Sequence, residues 1–210
     1  MVYVLDFDGV ICDSNLETCT LSYCAYNNSE LYSTVINAKD QEYFSEKRKT
    51  IRNADFFDIW EERFQENKCR IEWTRRFKTL RKSSLGDDYW LSLFRLYSGT
   101  LDFFSQTSIP IYICTSRDFD SVKILLDHFG LKISGLYGTP KMQSVEQILV
   151  KESVSPADMI FVDDNIENLE EVALTGVKCY LAKWGYCNIN FKYDNLESLI
   201  WLLQLYKERK

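Results

Sequence analysis

The 210-residue chain has a single histidine, His128, late in an apolar helical stretch where it reads as a packing or helix-end residue. No apolar run approaches the roughly 20 residues that a membrane helix needs, and the start Met1-Val2-Tyr3-Val4-Leu5-Asp6 has no basic region ahead of it, so a cytoplasmic protein with no membrane partner is expected. Basic charge is not in excess: 25 Lys and Arg stand against 31 Asp and Glu, a net charge of -6, which argues against non-specific binding of nucleic acid. The seven cysteines (Cys12, Cys19, Cys24, Cys69, Cys114, Cys179, Cys187) are odd in number and form no C-x-x-C pair. Neither a complete disulfide framework nor a structural zinc site follows, and reduced, mostly buried thiols are expected. Hydrophobic residues at 46% and charged ones at 27% are ordinary for a globular chain.

What is present is an alternation. Apolar, β-branched-rich runs at 2–7, 109–114, 159–162 and 178–182 have the length of buried strands. Between them lie helix patterns at Phe119–Phe129, Val145–Lys151 and Asn165–Thr175, and Gly130 and Gly176 stand where a helix end favours a left-handed residue. Strand and helix in turn predict a parallel α/β sheet covered on both faces, a Rossmann-like core. Residues 14–93 read differently, with one glycine (Gly86), no proline, dense charge and aromatics at helical spacing, as in Phe56-Phe57-x-x-Trp60-x-x-x-Phe64 and Trp73-x-x-x-Phe77. An all-helical insertion is expected, giving a core of 1–14 and 94–210 and a helical cap of 15–93. The tail from Asn195 to Lys210 reads as one amphipathic helix with the basic run Lys207-Glu208-Arg209-Lys210 at its end.

Four segments carry chemistry: Asp6-Phe7-Asp8-Gly9-Val10 after the first apolar run, Thr115 after the second, Lys141 after Gly138-Thr139-Pro140, and Asp163-Asp164 after the third. In a parallel sheet each falls beyond a strand's carboxyl end, where ligands bind. A carboxylate can attack phosphorus and form an aspartyl-phosphate, and Asp6 is the candidate nucleophile. Asp8, two residues on, is placed to protonate the leaving oxygen and then deprotonate the attacking water. Gly9 allows the turn that brings them close. A carboxylate repels a phosphate dianion, so a bridging cation is required; Mg2+ suits oxygen ligands, and Asp6, Asp8 and Asp164 are its candidate ligands. Gly9, Thr115, Ser116 and Lys141 are the candidate phosphate-binding residues, with Thr115 and Lys141 also offsetting charge in the reaction. Each signal alone has a plainer reading. Asp-x-Asp-Gly fits a loop turn, Thr115-Ser116 a strand end or a helix cap near Asp118, and Lys141 a solvated lysine with Lys151 as competitor. A basic surface from Arg75, Arg76 and Lys78 beside Trp73 fits either a solvated helix face or a site for an anionic substrate, the former being favoured.

In order, these segments resemble the haloacid dehalogenase superfamily. Asp6 to Ser14 is similar to its first motif, D-x-D-G-[TV], extended by the D-S pair of members with a helical cap, the phosphoglycolate phosphatase and β-phosphoglucomutase-like branch. The likeness continues through Tyr97-Ser98-Gly99-Thr100-Leu101, Thr115-Ser116-Arg117, Tyr137 to Lys141 and Phe161 to Val177, covering the core and little of the cap. Members place a Gly-Val pair twelve residues after the metal-binding aspartate, and Gly176-Val177 then selects Asp164, leaving Asp163 and Asn168 as supporting residues in an Asp-Asp-x-x-x-Asn variant. Trp184-Gly185-Tyr186 resembles a loop that flanks the site in relatives, though core packing explains it equally. The resemblance implies a Mg2+-dependent phosphatase acting on a small phosphorylated metabolite. A phosphomutase of the same family and a non-catalytic phosphate-ligand-binding or regulatory protein are the alternatives. A dehalogenase is disfavoured, because relatives of that type lack the second aspartate, present here as Asp8.

Overall fold

A computed structural model describes residues 1–49, 55–186 and 194–207. Cys187 and the run from Glu208 to Lys210 lie outside the described residues. In chain order the elements begin with β1 (Val2–Leu5), β2 (Cys12–Asp13), α1 (Asn15–Asn27), α2 (Ala38–Arg48), α3 (Phe56–Phe64), α4 (Arg70–Ser84) and α5 (Asp88–Ser92). They continue with β3 (Arg95–Leu96), α6 (Thr100–Gln106), β4 (Ile111–Cys114), α7 (Phe119–Phe129), β5 (Gly135–Tyr137) and α8 (Lys141–Glu152). A single 3-10 turn at Pro156–Asp158 leads into β6 (Met159–Asp163), α9 (Ile166–Ala173), β7 (Lys178–Ala182), β8 (Asp194–Leu196) and α10 (Trp201–Lys207). The chain divides into two units, Met1–Asp13 with Leu96–Lys210, and Ser14–Arg95.

The first unit is built on a six-stranded sheet of order β5-β4-β1-β6-β7-β8, parallel throughout. Alternation along β1 sends Val2 and Val4 to one face and Tyr3 and Leu5 to the other, and all four are buried. Val2 and Val4 join Tyr112, Phe161, Val145, Ile148, Leu169 and Val172 in one cluster under α8 and α9. On the opposite face Tyr3 meets the Phe103 ring at 5.4 Å and donates its hydroxyl to the Leu202 carbonyl, 3.0 Å away. Covered on both faces, these strands need the near-continuous apolar runs that the sequence supplies. Leu5 is level with Ile113 on one side and Val162 on the other, so the residues just beyond, Asp6, Thr115 and Asp163-Asp164, emerge at the same edge of the sheet.

Two parts differ from expectation. The tail is not one helix from Asn195, because Asp194–Leu196 extends the sheet as β8, in register with Tyr180–Ala182, and helix begins only at Trp201. The strand β5 has no counterpart among the apolar runs; it is three half-buried residues held by pairing to β4. By contrast, α7 runs from Phe119 to Phe129, with Asp118 as its N-cap and Gly130 at φ 68° closing it.

The second unit is helical, with α1 at its centre. Helix α1 is buried along Glu17–Ser22 and Cys24–Tyr26, as befits a helix packed against α2, α3 and α4. Aromatic rings fill the space around it: Trp60 stacks on Phe44 at 5.3 Å and Trp73 on Phe77 at 5.1 Å. Both indoles are anchored to one residue of α1, Trp60 Nε1 donating to Ser22 Oγ at 2.8 Å and Trp73 Nε1 to the Ser22 carbonyl at 3.1 Å. Glu17, fully buried, accepts two bonds from Arg81 at 2.7 and 2.9 Å. Of the basic group on α4, Arg75 and Lys78 are exposed, whereas Arg76 donates to the Ser29 carbonyl at 2.9 Å.

Candidate active site

Asp6 follows β1 directly and is fixed by the sheet, its N–H bonded to the Val162 carbonyl at 2.9 Å. Its Oδ1 accepts the Phe7 N–H at 2.8 Å and faces the Lys141 ammonium at 2.9 Å. The chain then turns back on itself, Ile11 and Cys12 both donating to the Phe7 carbonyl at 3.0 Å. Gly9, at φ 85°, occupies the left-handed region in this turn, where a side chain would be strained.

Lys141 opens α8 and is buried, with its Nζ 2.9 Å from Asp6 and 2.6 Å from Asp163 Oδ2. Burial opposes its charge, but Asp163 and Asp6 outweigh it and hold the ammonium pKa above the ordinary lysine range. Asp163, the last residue of β6, is satisfied by protein donors: Asn165 N–H at 2.8 Å on Oδ1, and Asn168 Nδ2 at 3.0 Å with Lys141 on Oδ2. Asn168 and Asp163, expected as supporting residues, are thus bonded to each other. Asp164 accepts the Tyr186 N–H at 2.7 Å and lies against Gly9 and Gly185.

Asp6, Asp163 and Asp164 each offer a carboxylate oxygen within 4.8 Å of the others. Burial raises the Asp6 carboxyl well above the ordinary carboxylate range; Lys141 opposes this, while Asp163, Asp164 and Asp8 add to it. One lysine therefore does not compensate the anionic charge gathered here. An all-oxygen, carboxylate-rich donor set with this surplus fits a hard divalent cation such as Mg2+ and does not fit zinc or copper preferences.

The structure places the remaining candidates as follows. Thr115 is buried beyond β4, its N–H bonded to the Tyr137 carbonyl at 3.0 Å and its Oγ1 accepting the Arg117 N–H at 3.1 Å. Ser116 is exposed. The N–H of Gly9 donates to the Cys12 carbonyl at 3.0 Å, so what this residue visibly contributes is close packing against Asp164. The Asp8 side chain stands outside the carboxylate cluster and pairs with Arg117, whose Nε lies 2.9 and 3.1 Å from its two oxygens. Asp163, expected as a supporting residue, is the third carboxylate of that cluster. Arg117, with a side chain only 3% exposed, and the Trp184–Tyr186 loop are the residues that sequence reasoning passed over or left undecided. The only local signal for Arg117 was its position directly after Thr115-Ser116. His128 is exposed in the last turn of α7, away from these groups in sequence and bonded to none of them.

The family model of haloacid dehalogenase-like hydrolases matches residues 1–173. The chain belongs to this family of hydrolases. Comparison with curated proteins returns no match. Solved structures share its fold at low identity. One is a predicted phosphoglycolate phosphatase from Haemophilus somnus, with TM-score 0.74, 16% identity, and coverage of 98% of this chain and 97% of that one. A haloacid dehalogenase-like family hydrolase from Streptococcus pneumoniae gives TM-score 0.69 and 15% identity over 98% and 97% of the two chains. CbbY from Rhodobacter sphaeroides, in complex with phosphate, gives TM-score 0.61 and 13% identity over 94% of each. At these identities the haloacid dehalogenase-like hydrolases among the solved structures speak to architecture, and the family assignment rests on the sequence model.

Proposed function

We propose that this hydrolase is a Mg2+-dependent phosphatase that cleaves a small phosphate monoester through an aspartyl-phosphate on Asp6. The observation that carries the reading is the buried Lys141 ammonium held between Asp6 and Asp163, at 2.9 and 2.6 Å, in a cluster of three carboxylates at the sheet edge. The ammonium opposes the effect of burial on Asp6, and a buried lysine set between two carboxylates has little purpose in a protein that only packs.

Asp6 attacks phosphorus with one carboxylate oxygen, and the bond to the ester oxygen breaks as the new bond forms. Asp8, paired with Arg117 in this structure, must turn from it to carry a proton to the departing alkoxide, and takes one back from the water that later cleaves the acyl phosphate. Thr115 and Ser116 bind the phosphoryl oxygens, and Lys141 offsets the negative charge of nucleophile and phosphate. Asp6 and Asp164 would hold the cation together with the Asp8 segment, and Asp163 keeps Lys141 and Asn168 in place. The cation, when bound, neutralises the phosphate and lets an anionic carboxylate approach it.

The helical unit Ser14–Arg95 is proposed as a cap that selects the substrate. The predicted phosphoglycolate phosphatase named among the structural relatives makes phosphoglycolate a first compound to test. Five buried free thiols, at Cys12, Cys19, Cys24, Cys114 and Cys179, support a reducing, cytoplasmic compartment. A phosphate-release screen over sugar phosphates, nucleotides, phosphoglycolate and phosphoamino acids, with Mg2+ and with chelator, tests the proposal. Chelator-sensitive release from one class supports it. Isomerisation of a sugar phosphate without free phosphate would favour the mutase reading, and neither release nor isomerisation in any class would favour a binding role.

A further inference from the structure

Trp184, Gly185 and Tyr186 leave β7 and cross the carboxylate site of the sheet unit. The Trp184 indole donates from Nε1 to the Val10 carbonyl at 3.0 Å. Tyr186 donates its backbone N–H to Asp164 Oδ2 at 2.7 Å and its hydroxyl to Asp13 Oδ1 at 3.1 Å. Gly185 turns between them, with its own N–H on the Ala182 carbonyl at 3.1 Å. A Cβ at Gly185 would lie 2.3 Å from Asp164 Cβ and 2.6 Å from the Gly9 carbonyl oxygen. Neither of those atoms is the yielding end of a long side chain. The same carboxylate also meets Gly9, where a Cβ would fall 2.2 Å from Asp164 Oδ2.

We infer that Trp184–Tyr186 is a positioning strap that fixes the Asp164 carboxylate and thereby sets the protein's affinity for its cation. The inference rests on the Mg2+ reading of the site. A loop that merely packs would accept alanine at its turn; this one has a glycine because the Asp164 side chain and the Gly9 backbone fill the space a methyl would need. The strap's two ends are bonded to Val10 and Asp13, on the same turn that follows Asp6. Asp164 is therefore held relative to Asp6 by a chain segment that contacts both neighbourhoods. Mg2+ demands near-ideal octahedral geometry and tolerates little displacement of a ligand oxygen, so a carboxylate fixed in advance binds it more tightly than one that must be ordered on binding. Residues that orient ligands in this way typically account for 10–100-fold in metal affinity.

Calorimetric titration of Mg2+ into the protein without substrate tests this, comparing wild type with Gly185→Ala, Trp184→Phe and Asp164→Asn, each checked for fold by circular dichroism. Gly185→Ala is expected to weaken Mg2+ binding by about tenfold or more while the fold is kept. Trp184→Phe, which keeps the ring bulk and removes the bond to Val10, is expected to weaken it by about threefold. A folded Gly185→Ala protein with wild-type affinity, beside an Asp164→Asn protein that has lost it, overturns the strap and leaves the metal site standing. Wild-type affinity in Asp164→Asn overturns the metal reading and the strap with it. Should Gly185→Ala fail to fold, Trp184→Phe decides, and unchanged affinity there counts against the strap.

Discussion

Asp163 and Asp164 are adjacent, both are buried, and they are wired differently. Asp163 takes N–H donors on both oxygens, including Lys141 at 2.6 Å, whereas Asp164 is gripped by the Tyr186 N–H and two glycines. Asp163→Asn removes one of the two anions that hold Lys141, so kcat is expected to fall by about tenfold to a hundredfold while Mg2+ affinity changes by less than about threefold. Steady-state kinetics across a Mg2+ series checks this; a larger loss of affinity here than in Asp164→Asn would exchange the two roles. The cysteines offer a second test at this scale. Burial pushes the thiols of Cys19, Cys114 and Cys179 up to about 12, so at neutral pH they stay protonated and shielded, while Cys69 is exposed. Alkylation followed by peptide mass spectrometry should modify Cys69 before these three, which react only on unfolding; early labelling of Cys114 would contradict the packing around Lys141.

Among the elements, α4 is tied to α1 by the pair Arg81–Glu17, in which Glu17 is fully buried and the Arg81 side chain 20% exposed. Arg81→Met removes both bonds that the guanidinium gives the buried Glu17 carboxylate, and a loss of about 3 kcal/mol in the stability of the helical unit is expected. Urea unfolding followed by the fluorescence of Trp60 and Trp73 measures it, and a loss below about 1 kcal/mol would show that Glu17 is not ionised or not as enclosed as the structure has it. Elements with a strong local pattern were legible in the sequence. The runs ending at Asp6, Thr115 and Asp163 became β1, β4 and β6, and Asp118 and Gly130 bounded α7, because burial on both sheet faces and helix capping leave marks in neighbouring residues. Gly135–Tyr137 and Asp194–Leu196 left no such mark; each is three residues long and becomes a strand by pairing with a longer neighbour. For the same reason the partners of Arg117 and of the Trp184–Tyr186 loop were beyond reading, although the loop itself was noted as one that could flank the site, since Arg117–Asp8 and Trp184–Val10 join residues far apart in the chain.

For the whole molecule, under the proposed function, reaction and substrate selection fall to different stretches of sequence, the sheet unit and the helical unit. If residues 15–93 are replaced by a short linker and the sheet unit folds, Mg2+ binding is expected to persist while preference among phosphate esters narrows to their chemical reactivity. Ratios of kcat/KM over a panel of esters measure this, and an unchanged ranking would return substrate selection to the sheet unit. The account as a whole turns on the covalent step. Single turnovers of an activated aryl phosphate, quenched in acid and reduced with borohydride, convert an aspartyl-phosphate to homoserine at the position that carried it. Peptide mapping is expected to find homoserine at residue 6 in the Mg2+-loaded protein and none in Asp6→Asn, whose turnover should fall by on the order of a thousandfold or more. Rapid phosphate release with no modification at Asp6, or an Asp6→Asn protein with turnover within about tenfold of wild type, would contradict it.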